Sequence, residues 1–149
     1  MSATPNVNGQ VIGQAHYATR AVLERQLART GTTFHESVAL NVLADSGAGV
    51  DRGHLVGRMT ATLKIDDATA LATVARLTGS ALAEAVPGDE CRIRLTDAGQ
   101  ELNRSIRTAV GEITARLYEG FEPEEMAVAG RLLTVLTARA NAELELAGA

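Results

Sequence analysis

The chain has 149 residues, of which 46% are hydrophobic but only 3% aromatic, and it contains no tryptophan. Such a core must be built from leucine, valine, isoleucine and alanine, which favours helices over a β-sandwich. The net charge of −4 argues against sequence-independent binding of nucleic acid. A single cysteine excludes an intramolecular disulfide, and neither a secretory signal nor a membrane-spanning apolar run is visible, so the sequence predicts a cytoplasmic protein without a membrane partner.

The first third of the chain is predicted to form a tail and two helices. Residues 1–8 are polar and are predicted to be a flexible tail. Apolar residues spaced three and four apart predict a long amphipathic helix from Gly9 to about Arg29, which Gly31 ends. Thr33 and Glu36 have the spacing of a capping box, so a second helix is predicted to begin there.

Two short helices are predicted to follow. Asp51 and Asp66 each stand where the N-cap of a helix is expected, ahead of apolar residues in helical spacing. The fourth helix is predicted to bury one face and to expose the opposite one. The predicted buried face consists of Ala70, Val74 and Leu77, and the predicted exposed face of Thr69, Ala72, Thr73 and Arg76.

A small β-hairpin and two long helices complete the predicted elements. Two short runs, Leu82 to Val86 and Cys91 to Leu95, flank a turn that contains Pro-Gly. Thr96 can cap a long helix, and Pro123 suits the first position of the last one. This order predicts a mainly α fold with a small β-hairpin, namely a winged helix-turn-helix flanked by N- and C-terminal dimerisation helices.

The run Leu95-Thr96-Asp97-Ala98-Gly99 is similar to the Leu-Thr-x-x-Gly motif that follows the wing in the multiple-antibiotic-resistance regulator (MarR) family of bacterial transcription factors. Leu55-Val56 stands where that family has a Leu-Ala pair, and Thr69 with Val74-Ala75-Arg76-Leu77 matches its recognition helix. The resemblance covers roughly residues 9–146. It implies one MarR-like domain over residues 1–149, with dimerisation helices at 9–30 and 97–146 and a winged helix-turn-helix at 33–96.

The resemblance implies a homodimeric transcriptional regulator, more often a repressor, that binds double-stranded DNA at a near-palindromic operator with half-sites roughly 10 base pairs apart. It further implies a small aromatic or anionic effector and no cofactor. Short polar groups on an exposed helix face can approach base edges, and basic side chains can contact phosphates. The candidate DNA-binding residues are Arg58, Lys64, Asp67, Thr69, Ala72, Thr73, Arg76, Arg92 and Arg94.

The sequence departs from the family pattern where DNA would lie. Asp66-Asp67 stands where family members usually carry a basic residue, and the hairpin is shorter, with Asp89-Glu90-Cys91-Arg92 in place of Asp-Arg-Arg. Carboxylates near phosphates oppose binding, although the two aspartates also suit helix capping. The alternative is therefore a winged-helix protein-interaction or ligand-sensing module with weak or lost DNA binding.

The remaining polar candidates lie outside the predicted DNA surface. His16, Tyr17 and Arg20 share one stretch of the first helix and could bind an aromatic acid, while Arg20 could equally form a salt bridge in the dimer. Cys91 is expected to be passive rather than a redox switch. The three histidines lack the spacing of a metal site, and no catalytic motif is present, so neither a metal nor an enzyme is predicted.

Overall fold

The computed structural model describes residues 4–147 as six α-helices and a three-stranded antiparallel sheet. The predicted mainly α fold with a hairpin is thereby confirmed, while the first three residues of the predicted tail lie outside the described residues. The helices are α1 Gly9–Leu27, α2 Phe34–Asp45, α3 Arg52–Leu63, α4 Asp67–Gly79, α5 Asp97–Leu117 and α6 Pro123–Ala147. The strands are β1 Val50–Asp51, β2 Ala83–Val86 and β3 Asp89–Leu95.

The helix boundaries follow from side chains close in sequence. Thr33 accepts the Glu36 N–H at 3.1 Å, and the Glu36 carboxylate accepts the Thr33 N–H at 3.3 Å, which completes the predicted capping box. Asp51 caps α3 by accepting the His54 N–H at 3.2 Å. After a 3-10 turn that follows α1, Gly31 adopts a left-handed φ of 67°, where its missing Cβ avoids a steric cost.

The sheet differs from the predicted hairpin in two ways. β3 lies in the middle of the order β1-β3-β2, and it begins at Asp89 rather than at Cys91. A two-residue Pro87-Gly88 turn brings Val86 opposite Asp89, so β3 begins two residues earlier than predicted. The two-residue strand β1 was not predicted, because a strand this short carries no alternation of apolar and polar residues.

The contacts within the chain form two compact units, Met1–Ile113 and Thr114–Ala149. The single domain expected over residues 1–149 therefore stays a prediction. The first unit contains the buried core, whose largest fully buried side chains are Leu27, Leu40, Leu43, Leu55, Met59, Val74, Leu77 and Ile93. In the second unit, every leucine and valine of α6 is at least 41% exposed. Among the described helices, none is long and apolar enough to cross a membrane.

Candidate nucleic-acid interface

Helix α4 buries the face that its apolar spacing predicts. Ala70, Val74 and Leu77 are at most 1% exposed. Thr73, however, was predicted on the exposed face, and that prediction is wrong. Its side chain is only 6% exposed, and its hydroxyl donates to the Thr69 carbonyl oxygen at 2.9 Å. The reason is helical geometry, since Thr73 lies three residues after Ala70 and four before Leu77, on the same side of the helix.

The middle of the exposed face of α4 consists of small or apolar side chains. Leu71 is 48% exposed, and its exposed neighbours on the helix surface are Ala68, Ala72 and Ala75. Ala72 is thus exposed as predicted, whereas Thr69 is only half-exposed. We call Ala68, Leu71, Ala72 and Ala75 the α4 stripe. Its short side chains allow another surface to approach the helix backbone closely.

Arg76 lies at the border of this stripe and forms an ion pair within the protein. Its Nη2 is 3.3 Å from Oε1 of Glu36, whose side chain is only 6% exposed while that of Arg76 is 62% exposed. The same Glu36 oxygen accepts the Thr33 N–H. Arg76 therefore neutralises a buried capping carboxylate, and removing it would leave that charge unpaired. The non-local contact was not visible in the sequence.

Two carboxylates stand at the beginning of α4. Asp66 is the N-cap and accepts the Thr69 N–H at 2.8 Å. Hydrogen bonds from the side chain and then from the backbone of Thr69 lower the pKa of Asp66 below its usual value, so the group stays ionised to a lower pH than an ordinary aspartate. Asp67 follows in the first turn and is exposed. Both charges suit the positive end of the helix dipole, but they also make the start of α4 negative.

The two hairpin arginines are held by contacts within the protein. Nη2 of Arg92 donates to the Gly49 carbonyl oxygen at 2.7 Å. Nε of Arg94 lies 3.0 Å from a carboxylate oxygen of Glu84, its partner on the adjacent strand. The expectation that at least one of them contacts a DNA backbone stays a prediction. A phosphate would have to compete with these contacts for the guanidinium groups.

The basic residues of α3 differ from the hairpin arginines in their contacts. Arg52 and Arg58 are exposed, and neither takes part in an ion pair among residues 4–147. Lys64 ends α3 with a left-handed φ of 57°, and its ammonium donates to the Ala61 carbonyl oxygen at 2.6 Å. Because α3 packs against α4, the two arginines supply positive charge next to the helix whose own start is negative.

The residues proposed to bind an effector are not brought together around a cavity. Tyr17 is 70% exposed, and its ring centroid is 5.4 Å from that of His16. Arg20 lies 3.2 Å from a Glu24 carboxylate oxygen, and its guanidinium carbon is 4.2 Å from the centroid of the Phe34 ring. Within the chain Arg20 thus already has an anionic and an aromatic partner. Both earlier roles for Arg20, effector binding and a dimer salt bridge, stay predictions.

A groove that sequence reasoning missed lies between α2 and α5. It has a volume of about 660 Å³ and is lined by Leu43, Ala44, Gly47, Leu95, Gln100, Asn103, Arg104, Arg107 and Thr108. Asn103 is 4% exposed and donates to the Asn41 side chain at 3.0 Å, and Arg107 lies 2.8 Å from Asp45. The sequence signal that could have indicated this groove is the pair Asn103 and Arg107. These polar residues of α5 stand directly after the apolar Leu102 and Ile106, at the edge of its apolar face.

The other polar candidates do not come together as a metal site among the described residues. Cys91 is exposed on β3, and its N–H donates to the Asp89 carboxylate at 3.2 Å. Within residues 4–147, no three side chains of His, Cys, Asp or Glu lie close enough to hold a metal ion. The surface that remains as a candidate site is therefore α4 with its neighbours α3 and the hairpin.

Solved structures of MarR-family regulators are similar to the chain over most of its length. A MarR-family transcriptional regulator from Rhodococcus sp. RHA1 has a TM-score of 0.72 and 18% identity, covering 87% of this chain and 92% of that one. NadR in complex with 4-hydroxyphenylacetate has a TM-score of 0.72 and 21% identity, covering 88% and 95%. BpsR of Bordetella bronchiseptica, whose DNA binding is regulated by 6-hydroxynicotinic acid, has a TM-score of 0.71 and 21% identity, covering 92% and 97%.

By sequence alone, no family model matches the chain and no curated protein is similar to it. The likeness is therefore one of fold, and it extends over the helix-turn-helix, the hairpin and the long helices on either side. The chain has the winged-helix fold of the MarR-family transcriptional regulators.

Proposed function

We propose that the protein is a cytoplasmic, homodimeric transcriptional regulator of the MarR family, a ligand-responsive repressor that binds a near-palindromic operator in double-stranded DNA. In this proposal each subunit inserts α4 into a major groove, while α3 and the hairpin contact the backbone. The protein acts by binding and carries out no catalysis. This proposal rests on the shared fold and on the surface of α4.

The observation that carries the proposal is the exposed α4 stripe on a helix whose other face is firmly buried. A helix with its side chains is about 10–12 Å wide, which matches a major groove of about 12 Å. The alanines at positions 68, 72 and 75 reduce that width further on the exposed side. The exposed guanidinium groups of Arg52 and Arg58, which form no ion pair among residues 4–147, supply the positive charge that phosphates require.

The proposed homodimer is supported by α6. This helix has 25 residues and exposes apolar side chains along its length, which a solvated helix would not retain without a covering partner. A second copy of the chain is the partner that a near-palindromic operator requires, because two-fold symmetric half-sites need two related recognition helices. Oligomeric state is thus part of the proposed mechanism.

The proposed effector is a small aromatic or anionic molecule. NadR was solved with 4-hydroxyphenylacetate, and DNA binding by BpsR is regulated by 6-hydroxynicotinic acid, which are both small aromatic compounds. In this chain, the polar groove between α2 and α5 is lined by Arg104 and Arg107 beside the apolar Leu43 and Leu95. Arg104 is paired with Glu101 and Arg107 with Asp45, so an anionic effector would compete with these carboxylates for the guanidinium groups. A differential affinity of about 1–3 kcal/mol between two dimer states would be enough to change operator occupancy.

The proposal predicts DNA binding that depends on Arg58. Duplexes of about 30 base pairs, enough for two half-sites, are enriched from a random-sequence pool with the full chain and then titrated by fluorescence anisotropy. At roughly 50 mM and 200 mM salt, the wild type should bind an enriched duplex with a steep salt dependence. Arg58→Gln should weaken binding roughly tenfold at the lower salt and reduce the salt slope by about one per subunit.

Arg25→Gln provides the matched control, because Arg25 is an exposed arginine on α1 and the substitution removes the same charge. Its salt slope should equal that of the wild type. Equal slopes for the Arg58 and Arg25 variants would contradict the placement of α3 at the DNA backbone. Failure to enrich any duplex would overturn the regulator proposal as a whole.

The carboxylates at the start of α4 give a second prediction. Asp67→Asn removes one negative charge near the expected phosphates in each subunit, so DNA affinity should rise by about threefold per subunit at low salt, as for two unit charges about 7 Å apart in water. Anisotropy titration against the same enriched duplex measures this change. Glu119→Gln, an equivalent charge removal at an exposed position between α5 and α6, should leave the affinity unchanged. An equal gain for both variants would show that only net charge matters.

The same carboxylates favour the alternative function, a winged-helix protein-interaction or ligand-sensing module. Hydrogen bonds from Thr69 lower the pKa of Asp66, and Arg92 and Arg94 are engaged within the protein. If these charges prevent DNA binding, the protein would keep the groove between α2 and α5 and the exposed apolar surface of α6, but it would have no affinity for an operator. A wild type that binds no duplex, together with an Asp66→Asn and Asp67→Asn double variant that does, would establish this alternative.

A further inference from the structure

The α4 stripe lacks the chemistry by which most recognition helices identify bases. Its four side chains, those of Ala68, Leu71, Ala72 and Ala75, contain no hydrogen-bond donor or acceptor. Guanine is usually recognised by arginine or lysine and adenine by asparagine or glutamine, in both cases through paired hydrogen bonds in the major groove. Neither kind of side chain stands in the stripe.

Three polar residues at the border of the stripe make contacts within the protein. The Thr73 hydroxyl donates to the Thr69 carbonyl oxygen, and Thr73 is buried. Arg76 is paired with the buried carboxylate of Glu36 at 3.3 Å. Asp66 accepts the Thr69 N–H. The centre of the helix surface therefore presents methyl and isobutyl groups, bordered by polar side chains that make contacts within the protein, of which Arg76 remains 62% exposed.

Among the groups that base pairs display in the major groove, only the 5-methyl group of thymine is recognised by apolar contact. We infer that α4 reads thymine methyl groups through Leu71, Ala72 and Ala75, so that the operator half-sites are selected for thymine at the contacted positions. This inference rests on the proposed function, which it deepens by naming the class of operator. The occupant of the stripe is accordingly duplex DNA rather than a protein.

Charge complementarity supports DNA as the occupant. Arg52 and Arg58 lie on α3, which packs against α4, and both are exposed without an ion pair among the described residues. Phosphates at the edge of a major groove match an apolar helix surface that has cationic groups on a neighbouring helix. The short alanine side chains permit the helix to approach close enough for Leu71 to reach a methyl group on the groove floor.

The test replaces thymine by deoxyuridine, which deletes the methyl group and keeps every hydrogen-bonding group of the base pair. The full chain is titrated against a duplex enriched from a random-sequence pool and against versions of that duplex with single thymine-to-deoxyuridine changes in one half-site. Deleting a contacted methyl group should weaken binding by about fourfold, the effect of exposing one buried methyl-sized group. Thymines outside the contacted positions should show no change.

Leu71→Ala identifies the side chain responsible. Alanine is the strongest helix former, and Leu71 is 48% exposed, so the variant should fold. It should bind the thymine and deoxyuridine duplexes equally at the position that Leu71 contacts. Val7→Ala, which shortens a 53% exposed side chain ahead of α1, should keep the full fourfold difference.

Each outcome separates the inference from the function on which it rests. Tight binding of an enriched duplex with no sensitivity to any thymine-to-deoxyuridine change would overturn the inference and leave the regulator proposal standing. The inference would also be overturned if Leu71→Ala, Ala72→Ser and Ala75→Ser all kept the full difference in affinity between the thymine and deoxyuridine duplexes. Failure to enrich any duplex would remove both proposals together.

Discussion

Gly99→Ala should be among the most destabilising single substitutions in this chain, lowering the free energy of unfolding by about 3 kcal/mol. A Cβ at position 99 would lie far inside van der Waals contact with the carbonyl oxygen of Leu82 and 3.1 Å from a methyl carbon of Leu95. The carbonyl oxygen cannot retreat, because it also accepts the Thr96 N–H at 3.1 Å. Equilibrium unfolding in urea, followed by circular dichroism, measures the change.

The neighbouring contacts explain why the strain cannot be relieved locally. The Thr96 hydroxyl donates to the Ala81 carbonyl oxygen at 2.7 Å and accepts the Gly99 N–H at 3.1 Å, so it caps α5 and also ties it to the segment before β2. The glycine of the Leu-Thr-x-x-Gly pattern thus permits the close approach of helix and hairpin. A shift of α5 would break both hydrogen bonds.

Gly57→Ala is the matched control. Gly57 lies inside α3, and a Cβ there would meet nothing within 4 Å. This variant should be more stable than the wild type by roughly 0.5–1 kcal/mol, because alanine loses less backbone entropy in a helix. Both variants are compared at one protein concentration, since association changes apparent stability. Equal urea midpoints for the two alanine variants would contradict the close approach at Gly99.

Much of the fold could be predicted because its signals are local. The capping residues Thr33, Asp51 and Asp66 bond to residues three positions away, so a short window of sequence contains the whole interaction. The strand β1 was missed because its two residues are ordered only by pairing with β3, more than forty positions later in the chain. A window around Val50 contains nothing of that partner.

The candidate site was less predictable, since its important contacts join distant residues. Arg76 was placed on the exposed face correctly, but its pairing with Glu36 depends on the packing of α2 against α4. Thr73 was misplaced for a different reason. Because it is polar, Thr73 was assigned to the exposed face. Its hydroxyl, however, donates a hydrogen bond to the Thr69 carbonyl oxygen, so the side chain can be buried.

The largest expected effect on assembly is the loss of the dimer in a variant that combines Leu132→Glu with Leu136→Glu. These leucines lie one helical turn apart on α6, and each is 43% exposed. Burying the exposed 43% of a leucine contributes about 1 kcal/mol, so the four leucines of a dimer contribute about 4 kcal/mol, or about three orders of magnitude in the dissociation constant. Sedimentation velocity at micromolar concentration should give 15.6 kDa for the variant and twice that for the wild type.

The control places the same charges on the opposite side of the helix. Thr134→Glu with Ala138→Glu adds two carboxylates four residues apart, about half a turn away from Leu132 and Leu136, and this variant should remain dimeric. Far-ultraviolet circular dichroism verifies that both double variants keep their helices. A dimeric Leu132 and Leu136 variant would contradict the assignment of α6 to the interface. A monomeric one should also lose specific operator binding, because a single α4 contacts only one half-site and the second half-site no longer adds its binding energy to the first.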